Sequence, residues 1–151
     1  MIFIIGFTGA GKTTYGKKIA EELDVPFYDL DEEIEKIEGK TIANIFAEKG
    51  EDYFRKLETE TLRNFQFPEK AIIACGGGTP CFHDNIKWLK KTGTVYYLKK
   101  SSAQIAEQLL QTDLATRPLL RDKTKEEITQ WISEMLAKRE VFYLQADEII
   151  E

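Results

Sequence analysis

Short, unbroken apolar runs alternate along this chain with longer stretches in which apolar residues recur every three or four positions. Residues 1–5, Met-Ile-Phe-Ile-Ile, are apolar throughout, as a strand buried on both faces requires. Residues 12–23 have helical spacing, with Tyr15, Ile19, Ala20 and Leu23 on one side. Residues 25–28 read as a second strand. Helices are predicted over 34–37, over 41–48 with Ile42, Ile45 and Phe46 as the apolar face, and over 52–65 with Phe54, Leu57, Thr61 and Leu62. A third strand over 71–75 stops at three glycines. A helix over 84–91 and a fourth strand over 94–98 follow. Ser101 with Gln104, and Thr124 with Glu127, have the spacing of capping boxes that open helices ending near Gln111 and Tyr143. Residues 147–150 read as a last, short strand.

Strands separated by helices imply an α/β fold, a parallel sheet covered on both sides. A chain of 151 residues fits one domain with one core. In such sheets ligands bind beyond the C-terminal ends of the strands. The chemically distinctive stretches fall there: residues 6–13 after the first strand, Asp29 and Asp31 after the second, and Gly76, Gly77 and Gly78 after the third.

Composition narrows the partners. The chain is 42% hydrophobic and 31% charged, with a formal net charge of -5. Such a surface does not attract nucleic acid or anionic lipid, so an anion site must be local. No stretch approaches the roughly 20 apolar residues of a membrane span. The apolar opening is too short for a signal peptide and lacks a basic start. Cys75 and Cys81, in CGGGTPC, match neither a zinc spacing nor a disulfide framework, so a reducing cytoplasm is expected.

Gly6-Phe7-Thr8-Gly9-Ala10-Gly11-Lys12-Thr13 is a complete G-x-x-x-x-G-K-[ST] motif between a predicted strand and a predicted helix. Its glycines let successive N–H groups converge on phosphate oxygens, and the helix N-terminus adds partial positive charge. Gly9, Ala10, Gly11, Lys12, Thr13 and Thr14 are the candidate nucleotide contacts. Lys12 is placed to reach the β/γ-phosphates and the Thr13 hydroxyl to ligate Mg²⁺. The motif implies nucleoside triphosphate binding without choosing between kinase, GTPase and ATPase.

Asp29-Leu30-Asp31 admits two readings. Extended, it points both carboxylates to one side, one for a Mg²⁺ water and one for an acceptor's hydroxyl proton. Alternatively, it is a helix N-cap with acidic first-turn residues. Of 21 basic residues only five are arginine: Arg55, Arg63, Arg117, Arg121 and Arg139. Arginine suits bidentate capture of carboxylate or phosphate. Arg55 follows an aromatic, Arg139 precedes Tyr143 by one turn, and Pro118 biases Arg117 out of the helical region. Each could equally be a solvated surface charge. The triple glycine could be a plain turn, or a place where a ligand approaches the backbone closely.

The segments GFTGAGKTT, FYDLDEEIE, GEDYFRKLE, IIACGGGT, TRPLL and KREVFY stand in the order and approximate spacing of shikimate kinases. The chain resembles that family over nearly its whole length. The resemblance implies a single three-layer α/β/α domain with a five-stranded parallel sheet, of the nucleoside-monophosphate-kinase type. It implies transfer of the ATP γ-phosphate to the 3-hydroxyl of shikimate, with Mg²⁺, by a monomer. It also implies roles. Asp31 would contact the accepting hydroxyl and serve as its base, and Asp29 would orient a water on Mg²⁺. Arg55 and Arg139 would clamp the shikimate carboxylate. Gly76, Gly77 and Gly78 would approach the substrate, the last two through their N–H groups. Phe46 and Phe54 would wall the ring. Substrate-binding helices would span about 31–65. Arg117 would ride on a mobile lid, about 112–123, and reach the phosphates on closure. His83 and the cysteines would be structural. Two rivals remain: another small-molecule kinase of this fold, such as a gluconate kinase, and a non-catalytic nucleotide-binding regulator. The regulator reading predicts loss of Lys12, Asp31 or Arg117, and all three are present.

Overall fold

The computed structural model describes residues 1–111 and 123–151. In chain order the elements are β1 (Ile2–Ile5), α1 (Lys12–Leu23), β2 (Phe27–Asp29), α2 (Leu30–Glu38), α3 (Ile42–Lys49), α4 (Glu51–Asn64) and β3 (Ile72–Ala74). A 3₁₀ turn (Thr79–Cys81), α5 (Asn85–Thr92), β4 (Thr94–Leu98), α6 (Ser102–Leu110), α7 (Lys125–Tyr143) and β5 (Glu148–Ile150) follow.

The five strands form one sheet in the order β2-β3-β1-β4-β5, and every neighbouring pair is parallel. Ile4 of β1 pairs with Ala74 on one side and Tyr96 on the other. The chain leaves β1 toward β2 and later returns across β1 to reach β4. The loops after β1 and β3 therefore emerge side by side, where a doubly wound sheet opens a crevice.

Strand alternation builds two apolar layers. Ile4, Ile72 and Leu98 pack with Ala20 of α1 on one face. Phe3, Ile5, Ile73, Val95 and Tyr97 face the other way, into a larger core with residues from the remaining helices. Both predicted capping boxes are present, at Ser101/Gln104 and Thr124/Glu127.

Two elements depart from the sequence expectation by more than a residue at one end, and one turn is added. The second strand begins at Phe27 rather than Val25, because Pro26 has no N–H for the ladder. Pro26 contributes only its carbonyl, which accepts from Ile72 N at 3.0 Å. The helix expected over 34–37 begins at Leu30, so Asp29-Leu30-Asp31 is not extended. The 3₁₀ turn with Pro80 in its first positions was not foreseen. The expected lid, Arg117 included, lies outside the described residues apart from Lys123. No helix among the described residues is long and apolar enough to cross a membrane.

Candidate active site

Gly11 has φ +91° and is the N-cap of α1, with nothing near the position a Cβ would take. Glycine is needed there for the left-handed backbone alone. The loop closes through Ala10 N donating to Phe7 O at 3.0 Å. Lys12 Nζ donates to Gly6 O at 2.8 Å and Phe7 O at 3.0 Å, which holds the ammonium across the loop. Burial lowers the Lys12 ammonium to about 8, against the pull of the Asp31 and Asp29 carboxylates.

Asp29 ends β2 and joins two features. Its Oδ1 accepts from Asp31 N at 2.9 Å and Glu32 N at 3.3 Å, capping α2. Its Oδ2 accepts from Thr13 Oγ1 at 2.9 Å. The helix-cap reading of this stretch therefore holds and the extended one does not, although the second Asp29 oxygen still faces the phosphate loop. Leu30, fully buried, anchors the step between the two aspartates. Asp31 then projects from the first turn of α2 into a cavity of about 610 Å³. Burial pushes its carboxyl up to about 7, helped by the Asp29 and Glu58 carboxylates and opposed by Lys12.

The same cavity is lined by Thr8, Phe46, Phe54, Arg55, Glu58, the three glycines and Arg139. The glycines show why no side chain fits between them and the charged groups. A Cβ on Gly76 would lie 3.0 Å from Asp31 Oδ1, and one on Gly77 would lie 3.1 Å from an Arg139 guanidinium nitrogen. On Gly78 it would lie 2.6 Å from both terminal nitrogens of Arg55. Each glycine therefore abuts one candidate functional side chain. Phe46 and Phe54 stack at 4.7 Å between centroids along one wall.

The two arginines are held differently. Arg55 is 7% exposed and donates to Glu58 Oε1 at 3.1 Å. Glu58, at 0% exposure, also accepts from Thr79 Oγ1 at 2.8 Å, and Asn85 Nδ2 donates to Thr79 O at 3.0 Å. The guanidinium lies 4.3 Å from the ring centre of Phe82 and 5.2 Å from that of Phe54. Its Nε has no hydrogen-bond partner among the described residues. Arg139 rests on Phe7 of the phosphate loop, 5.5 Å from the ring centre. Phe7 in turn packs edge-on against Trp131 at 6.0 Å.

Thr14 is exposed on α1. Arg63 lies apart from the cavity: it donates to His83 O at 2.7 Å and Asn85 Oδ1 at 3.1 Å, bracing a left-handed turn at His83 and Asp84. Burial pushes the Cys75 thiol far above its ordinary range and the Cys81 thiol up to about 11, so neither is a thiolate near neutrality. Glu58, Thr79 and Phe82 escaped the sequence reading. Glu58 had a legible signal, its i,i+3 spacing from Arg55 on one helix. Phe82 had none, since only the 3₁₀ turn brings it under Arg55.

A family model described as shikimate kinase matches residues 8–151. A shikimate kinase of Azobacteroides pseudotrichonymphae is 44% identical over 146 residues, 96% of this chain and 85% of the relative. The crystal structure of shikimate kinase from Bacteroides thetaiotaomicron superposes with a TM-score of 0.91 at 40% identity, covering 98% of this chain and 84% of that one. The Acinetobacter baumannii shikimate kinase in complex with shikimate gives a TM-score of 0.89 at 35% identity, covering 99% and 82%. With the phosphate loop and the glycine-lined cavity side by side, and with matches of this extent, the chain belongs to the shikimate kinase family.

Proposed function

We infer that this chain, an ATP-dependent shikimate kinase of aromatic amino-acid biosynthesis, transfers the γ-phosphate of ATP to the 3-hydroxyl of shikimate. The observation that carries the site assignment is the convergence on three consecutive glycines. Asp31, Arg139 and Arg55 each lie against one of them, in a cavity that also reaches Thr8 of the phosphate loop. A carboxylate-bearing polyol placed there meets two guanidinium groups and one carboxyl together.

In this reading Arg55 and Arg139 grip the acceptor's carboxylate, and Phe46 and Phe54 flank its ring. The N–H groups of Gly77 and Gly78 face the substrate. Asp31 accepts the proton of the attacking hydroxyl as its oxygen bonds to the γ-phosphorus. The bond from that phosphorus to the β,γ-bridging oxygen breaks, and ADP leaves. A carboxyl at about 7 suits this task, because it is substantially ionised at neutral pH yet basic enough to take a proton. Lys12 and the N–H groups of residues 9–14 neutralise the phosphates. Arg117, outside the described residues, would add its charge to theirs, as the family resemblance implies.

The Thr13 hydroxyl and the Asp29 carboxylate, hydrogen-bonded to each other, form an all-oxygen pair suited to a hard cation. Thr13 would ligate Mg²⁺ directly and Asp29 through water. Mg²⁺ commonly completes its shell with phosphate oxygens and waters, and when bound here would neutralise charge on the β- and γ-phosphates. Two free cysteines near the site suit a reducing cytoplasm.

A coupled assay of ADP release with ATP and Mg²⁺, with and without shikimate, tests the reading. ADP should form only with shikimate, and ³¹P NMR should show a phosphomonoester on the 3-oxygen. Gluconate should not replace shikimate. Shikimate-independent ADP release, or phosphorylation at another oxygen, contradicts the assignment.

A further inference from the structure

The peptide joining Gly77 to Gly78 is tied to α7 through one hydroxyl. Tyr143 Oη donates to Gly77 O at 2.6 Å. The Tyr143 ring is fully buried and packs on Tyr97 at 5.0 Å between centroids. Tyr97 is itself fastened, its hydroxyl donating to Glu140 Oε2 at 2.5 Å. The anchor is thus a rigid aromatic pair.

Every peptide described here is trans, so a C=O and the N–H that follows it point in opposite directions. With Gly77 O turned toward Tyr143, the Gly78 N–H is turned away from it. That N–H finds no acceptor among the described residues, although Gly78 is buried and lines the cavity. A buried N–H normally has a partner.

The glycines here are required by space. A Cβ on Gly77 would come within 2.5 Å of Thr8 Oγ1, and one on Gly78 within 2.6 Å of Arg55. Without either Cβ, little steric cost opposes rotation of the peptide between them. Close approach of the charged groups therefore removes the protection that would keep this peptide in one orientation.

We propose that Tyr143 is a positioning residue for the acceptor, its hydroxyl fixing the Gly77–Gly78 peptide so that the Gly78 N–H is presented to the substrate. The proposal rests on the function inferred above. Tyr143 stands one turn after Arg139 on α7, so a single helix aligns both a clamp arginine and the glycine peptide. Burial also pushes the phenol above its ordinary value, so the donated proton is retained across the working pH range.

Tyr143→Phe removes only the hydroxyl. The KM for shikimate should rise about 5- to 10-fold, the worth of roughly one hydrogen bond. The KM for ATP should be unchanged and kcat should stay within a few-fold. In ¹⁵N spectra of substrate-free protein the Gly78 amide should be sharp in wild type, broadened or doubled in the variant, and sharpened again by saturating shikimate. A lower Tm with unchanged shikimate KM and an unchanged Gly78 amide would overturn the proposal. If Tyr143→Phe does not fold, relaxation dispersion on the wild type decides: millisecond exchange at the substrate-free Gly78 amide contradicts a locked peptide, and its absence supports one. Wild-type turnover of shikimate in the same assay separates the failures. An inactive wild type strikes the functional reading, whereas an active wild type with an indifferent variant strikes only the role of Tyr143.

Discussion

In the proposed site, residues 6–14 supply most of the nucleotide side from one continuous stretch, whereas the polar and backbone groups of the acceptor side are gathered from four places. Asp31 comes from α2, Arg55 and Glu58 from α4, the glycines from the loop after β3, and Arg139 from α7. The nucleotide side works mainly through backbone N–H groups, whose direction follows from loop shape and helix start. The proposed acceptor side works mainly through side chains, each needing its own support, beside the Gly77 and Gly78 N–H groups. Arg55 has a buried carboxylate and an aromatic face, and Arg139 has Phe7 and makes no ion pair among the described residues. The contrast teaches that a site built from backbone is sensitive to dihedral angles, while one built from side chains is sensitive to the residues behind them.

The largest expected effect is on Lys12, the cation of the phosphate loop. Lys12→Ala should abolish transfer, with far-UV CD unchanged. Near wild-type turnover in that variant would break the comparison at its first term.

Asp31→Asn comes next. Loss of a general base typically costs about 10²–10⁴-fold, so kcat should fall in that range with ATP affinity nearly unchanged. Wild-type kcat/KM for shikimate should rise with pH through about 7, and this limb should vanish in the variant. Stability should show the reverse sign. The folded-state value is raised from 3.8 to about 7, so ionising Asp31 costs the fold increasingly from about 3.8 upward and fully above about 7. Asp31→Asn should therefore raise Tm at pH 8 and change it little at pH 4. An equal loss of ATP affinity would move Asp31 to the metal site.

The arginines sharpen the contrast within the acceptor side. An ammonium cannot reproduce a planar fork, so Arg55→Lys and Arg139→Lys should each raise the KM for shikimate about 10-fold or more. The KM for ATP should stay within a few-fold. Only Arg55→Lys should also lower Tm, because it disturbs the buried pair with Glu58. Equal Tm losses in both variants would remove the distinction between them.

The smallest effect is a backbone one. Gly11→Ala places a Cβ in open space but at φ +91°, a strain of about 1 kcal/mol. The KM for ATP should rise a few-fold with the KM for shikimate unaltered. Gly78→Ala, at φ −96° but with its Cβ against Arg55, should do the opposite. If both alanines shift the same KM, the two sides are not built as described.

The amino-acid sequence by itself determined the alternating α/β order, the phosphate loop, both capping boxes and the short list of arginines. These are legible because apolar periodicity, the glycine-lysine motif and cap chemistry act over a few neighbouring residues. It left open whether Asp29-Leu30-Asp31 is extended or caps a helix, and the fold makes it a cap, with the second Asp29 oxygen bonded to Thr13 of the phosphate loop. The family resemblance already singled out Arg55 and Arg139, and the tertiary structure adds that both line one cavity while Arg63 braces the turn at His83. That structure alone revealed the buried Glu58–Thr79–Asn85 support, Phe82 beneath Arg55, and Tyr143 on Gly77. The reason is physical. These contacts join residues up to 66 positions apart, and they exist because α4 and α7 pack beside the turn that follows β3. Sheet order is settled by the packing of the whole core, and no local pattern carries it.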